Sequence, residues 1–169
     1  AFSRDAVMAC LIPSRYELPY DATRQYKAAC DPSGGGADEF TIAVVHREDK
    51  VIVQDVIRGW KAKQPASVTA EAAGILRSFG ITQVTGDRYS GSWVQTAFAS
   101  HGIRYIVADR TASEAFLELL PVVNQGTVEL LDDKIQTAQL ISLERRTSRN
   151  GKDQLGHPQG GHDDRANAL

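Results

Sequence analysis

The order of elements in this chain predicts an α/β fold: a mixed sheet with an antiparallel three-strand meander, further parallel strands, and helices on both faces. Three observations carry it. A short, mostly apolar run at Tyr26–Cys30, a β-branched apolar run at Thr41–Val45 and a third strand at Lys50–Arg58 are joined by short loops, which gives an antiparallel meander. From Ser67 onward the apolar period changes to helical spacing, and helices then alternate with short strands, which gives parallel crossovers. With 169 residues, 42% hydrophobic and 24% charged, the chain has the size and composition of one soluble domain with a proper core.

Residues 1–25 read as a lead-in or linker segment ahead of a domain spanning 26–169. Ser3–Ala9 is able to open a short helix, whereas Ile12-Pro13 and Leu18-Pro19 force extended or turned chain. The first strand ends at Asp31, and Pro32–Asp38 is glycine-rich turn chemistry leading into the second strand. A tight connection at Arg47–Lys50 leads to the third. Pro65, an N-capping side chain at Ser67 and a stop at Gly80 frame a helix over Ser67–Phe79. Ile81–Thr85 is a short strand running into Gly86-Asp87. Ser92–Ser100 is a helix with Trp93, Ala97 and Phe98 inward, and Ile103–Val107 another strand. Thr111-Ala112-Ser113-Glu114 is a capping-box pattern opening a helix to about Val123. Thr127–Leu131 is a brief extended piece, and Asp133–Leu143 a helix. Arg145–Gly161 reads as a polar loop, after which His162–Leu169 regains a helical look.

No apolar run approaches the roughly 20 residues of a membrane span. Two cysteines, Cys10 and Cys30, form no disulfide framework and suit a reducing compartment. A net charge of −2 and a pI near 6.1 argue against a free-standing, strongly basic nucleic-acid binder.

The chemistry points to carboxylates. Asp31 closes the first strand, Asp87 the fourth, and Asp163-Asp164 opens the last helix. Neighbouring parallel strands present such ends to one crevice. Like charges held that close are ionised together only beside cations, and hard oxygen donors suit Mg²⁺ or Mn²⁺. Two such ions are a device for phosphodiester hydrolysis. Plainer alternatives stand beside each member: an Asp-Pro turn for Asp31, a turn residue for Asp87, and a helix N-cap for Asp163 or Asp164. Asp38 assists a metal or satisfies loop amides; His157 and His162 are auxiliary groups or solvated loop histidines. Arg145, Arg146, Arg149 and Lys152 form the one local basic stretch, either a solvated loop or a contact for DNA phosphates.

Four pieces of sequence, in this order, resemble the C-terminal nuclease domain of bacteriophage terminase large subunits, an RNase H-like fold. They are Asp31-Pro32-Ser33-Gly34-Gly35 with Asp38, Val84–Tyr89 followed by Gly91 and Trp93, Leu143–Arg149, and His162–Ala168. The resemblance implies an endonuclease dependent on two Mg²⁺ or Mn²⁺ ions that cuts concatemeric double-stranded viral DNA in the host cytoplasm. It implies that Asp31 bridges both ions, with Asp87 and Asp164 each completing one site and Asp163 the competing match for the third acid. Asn167 stands where many relatives carry another Asp. An N-terminal ATPase motor domain, a portal protein and a small terminase subunit are the implied partners, and no Walker lysine motif occurs in this chain. A resolvase or transposase of the same fold, or a non-catalytic assembly module, remain alternatives.

Overall fold

The computed structural model describes residues 2–32, 39–61, 64–87, 92–147 and 153–156. Its centre is a six-stranded mixed sheet with the order β5-β4-β1-β2-β3-β6. The strands are β1 (Tyr26–Asp31), β2 (Phe40–Glu48), β3 (Val51–Trp60), β4 (Gln83–Gly86), β5 (Arg104–Val107) and β6 (Val128–Glu129). β1 pairs antiparallel with β2, and β2 with β3. Asp49 turns the β2–β3 hairpin with φ 54°, a conformation that aspartate tolerates better than most residues. β4 joins β1 in parallel, β5 joins β4 in parallel, and β6 lies parallel to β3 on the far edge.

Helices cover both faces. α2 (Pro65–Ser78) and α3 (Ser92–Ala99) bury Val68, Ala72, Leu76, Val94 and Phe98 against Cys30, Phe40, Ile42, Val44 and Val84. The expected Trp93 and Ala97 are only half-buried; Val94 and Phe98 are the fully buried residues of α3. α1 (Arg4–Cys10), α4 (Ala112–Asn124) and α5 (Lys134–Ser142) belong to a second core of Phe2, Val7, Cys10, Phe116, Val123, Val128, Leu140 and Leu143. The segment before β1 is stitched to this core by a parallel bridge from Leu11 to Leu130 and a hydrogen bond from the Leu18 amide to the Asp55 carbonyl (2.9 Å).

Caps explain most helix starts. Thr111 accepts from the Glu114 amide and Asp133 from the Gln136 amide, each satisfying an otherwise orphaned donor of a first turn. α2 departs from expectation. Its N-cap is Gln64, with no side-chain cap, and Pro65 occupies the first helical position, where a missing N–H costs nothing; Ser67 is inside the helix. A second correction concerns Arg145–Gly161. It is not all loop: β7 (Glu144–Thr147) and β8 (Asp153–Gly156) pair antiparallel, with Arg145 opposite Leu155 and Arg146 opposite Gln154. A hairpin this polar in sequence lacks the apolar alternation that makes a strand legible. β8 runs alongside α4.

A β-bulge breaks the β2–β3 ladder between Val44 and Val45, leaving Asp55 as the extra residue of β3. Asp55 is fully buried and its Oδ2 lies 2.7 Å from His46 Nδ1, while His46 Nε2 is 3.0 Å from Glu48. Burial pushes the Asp55 carboxyl up, against the opposing pull of the His46 hydrogen bond. Next to the bulge, on the opposite face, Gln54 and Gln136 bind each other reciprocally at 2.7 and 2.9 Å, and Gln54 also accepts from the Leu131 amide at 3.0 Å. Both side chains are fully buried, so this amide pair fastens α5 to the sheet. Gln136→Ala strands the Gln54 amide without its partner and is expected to cost about 1–3 kcal/mol, read as a lowered urea midpoint at constant m. An unchanged midpoint contradicts that role.

Candidate active site at the carboxyl ends of β1 and β4

The site is built by one strand pairing. β1 and β4 run parallel with Ala29 opposite Thr85 and Cys30 opposite Gly86. One step further, Asp31 ends β1 and Asp87 follows β4 directly. Strand alternation puts Cys30 on the face packed by α2 and α3, and so Asp31 and Asp87 on the other. Both are half-buried. The antiparallel partner of Asp31 is Thr41, which is fully buried, and Glu39, just before β2, is 5% exposed. Glu39 is a third acid at this end of the sheet that sequence reasoning passed over, because it sits among the turn residues.

The two carboxylates leave an electrostatic mark on their neighbour. The Cys30 thiol is pushed well above its ordinary range, chiefly by burial and then by the negative charges of Asp31 and Asp87. Carboxylates on adjacent strand ends repel each other when both are ionised. A divalent cation offsets that repulsion, and the donors are hard carboxylate oxygens, the set that suits Mg²⁺ or Mn²⁺ rather than a softer metal. The residues present therefore fit such an ion. Among the described residues, no three His, Cys, Asp or Glu side chains gather as a metal-holding group. Asp38, Asp163, Asp164, His157, His162, Asn167, Arg149 and Lys152 lie outside the described residues. Arg145 and Arg146 fall on β7.

The structure also reveals a support that the sequence reading missed. Tyr105 of β5 pairs with Val84 of β4, and its hydroxyl donates to the Asp87 carbonyl at 2.7 Å. Its ring passes so close to Gly86 that a Cβ there would lie 2.7 and 2.8 Å from two ring carbons. The signal available in sequence was Gly86 itself, since an isolated glycine in a strand often marks a close approach.

No protein-family model matches the chain, and no curated protein matches it. Solved structures do. The large terminase nuclease from thermophilic phage G20c superposes with a TM-score of 0.81 at 16% identity, covering 96% of this chain and 92% of that one. The same nuclease with bound magnesium gives 0.79 at 18% identity, over 98% and 93%. The large terminase of bacteriophage HK97 gives 0.77 at 16% identity, covering 99% of this chain but 41% of that longer one. The G20c nuclease has also been solved with cobalt, and a mutant nuclease domain of the large terminase subunit of bacterial virus Sf6 with manganese. The fold is thus the one seen in large terminase nuclease domains, the RNase H-like class expected from the sequence.

Two glycines separate close approach from open space. Gly86→Ala is expected to cost about 1–3 kcal/mol by overpacking against Tyr105. Gly74 lies inside α2, and a Cβ added there would meet nothing within 4 Å. Gly74→Ala is therefore expected to gain about 0.4–1 kcal/mol. Chemical denaturation of both variants checks the pair, and equal effects contradict the Tyr105 contact.

Proposed function

We propose that this chain is the metal-dependent endonuclease domain of a viral DNA-packaging terminase, cutting concatemeric double-stranded DNA by two-metal-ion phosphodiester hydrolysis. The observation that carries the reading is the register of β1 and β4, which sets Asp31 beside Asp87 on the ends of adjacent parallel strands, where α/β sheets bind ligands. The likeness to terminase nuclease domains, two of them solved with magnesium or manganese, supports it.

In this reading Asp31 would hold both ions, Asp87 and Asp164 would each complete one site, and Asp38 or Asp163 would assist. The chemistry supplied by such ions when bound is activation of a water and neutralisation of charge on the leaving oxygen. The chain's own part is to fix the carboxylates before metal or DNA arrives, so that little reorganisation is needed at the reaction. Arg145, Arg146, Arg149 and Lys152 meet DNA phosphates. With so few cations and a net charge of −2, DNA affinity is weak and falls steeply with salt, and delivery of the DNA is left to neighbours. Those neighbours are an N-terminal ATPase motor domain, a portal protein and a small terminase subunit, in the cytoplasm of the infected host. That this chain spans 41% of the HK97 large terminase is consistent with a motor elsewhere in the same polypeptide. Among the described residues no helix is long and apolar enough to cross a membrane.

Asp31→Asn and Asp87→Asn each keep side-chain size while removing the charge. Each is expected to lower Mn²⁺-dependent cleavage of plasmid DNA by at least about a hundredfold, with an unchanged circular dichroism spectrum. Cleavage at the parental rate by either variant defeats the assignment.

A further inference from the structure

We propose that Tyr105 is a positioning residue for Asp87, setting the affinity of the carboxylate pair for divalent metal; this rests on the metal-binding reading of Asp31 and Asp87. The backbone ladder between β4 and β5 ends with the Ala108 amide donating to the Gly86 carbonyl at 2.8 Å. One residue further, at Asp87, the Tyr105 hydroxyl takes over as donor, at 2.7 Å. A side chain thereby continues the β4–β5 pairing by one residue, to the residue whose register against β1 matters.

Tyr105 is itself held firmly enough to act as an anchor. It is 9% exposed, its ring lies stacked on Phe98 at a centroid distance of 6.2 Å, and Gly86 admits it to the backbone of β4. Ring and carboxylates occupy opposite faces of the sheet, so Tyr105 touches neither metal nor DNA. It works through the main chain: with the Asp87 carbonyl anchored, the direction of its Cα–Cβ bond is fixed, and the carboxylate stays beside Asp31. Outer-shell hydrogen bonds that orient ligands tune metal sites in this way.

Tyr105→Phe keeps the ring, its stacking and its fit over Gly86, and removes only the hydroxyl. Tyr26→Phe is the matched control. Its hydroxyl accepts from the Asp21 amide at 2.8 Å, and Tyr26 begins β1, the opposite end of that strand from Asp31. Isothermal titration of the whole chain with Mn²⁺ is expected to show the Kd of Tyr105→Phe raised about three- to tenfold, with that of Tyr26→Phe at the parental value. Parental affinity in Tyr105→Phe overturns the inference while leaving the metal site standing. Equal weakening in both variants overturns it too, since the effect is then one of general stability. A parental chain that binds no Mn²⁺ overturns the metal reading, and this inference with it.

Discussion

The parallel pairing of β1 with β4 is the constraint on which everything else rests. Its register converts two aspartates that are 56 positions apart in sequence (87 − 31) into neighbours on one edge of one sheet. A slip of one residue would turn one of the two carboxylates to the opposite face. The register is therefore protected from several directions. α2 and α3 bury Cys30 and Val84 in one core, β2 holds β1 along its whole length, and Tyr105 grips the end of β4 from β5.

What the pairing creates is two acidic side chains on the ends of adjacent parallel strands. In the proposed reading, a divalent cation bound there would relieve the repulsion between the two carboxylates. A further acid of the sheet, Asp55, is fully buried. Asp55 has His46 against it and sits at a bulge midway along β2 and β3, where its side chain ties β3 to β2 and its carbonyl accepts from the Leu18 amide of the segment before β1.

Much of this was legible in the sequence, for identifiable reasons. The meander and crossovers follow from apolar runs and turn residues, and Asp31 and Asp87 stand out because each ends a strand. Thr111 and Asp133 announce their helices by capping chemistry. Other features were hidden. Val94 stands beside the bulkier Trp93, yet burial follows the face of the helix rather than side-chain size. The β7–β8 hairpin carries Arg145 and Arg146 on a strand with no apolar alternation to betray it. Gln54 and Gln136 look like surface residues until a bulge and a helix cap bring them together. Tyr105 reads as one more core aromatic, because a hydrogen bond to a main-chain carbonyl on the neighbouring strand leaves no mark in linear order. The fold was readable from periodicity, and the pair of aspartates from strand ends. The residue that steadies them emerges only from the three-dimensional packing.

The most direct test of the account is a crystal of this chain soaked in Mn²⁺ and measured at the manganese absorption edge. The account predicts anomalous density beside the ends of β1 and β4, within about 2.2 Å of carboxylate oxygens of both Asp31 and Asp87, a distance in keeping with a small hard cation. Manganese bound elsewhere, or held by only one of the two, would contradict it.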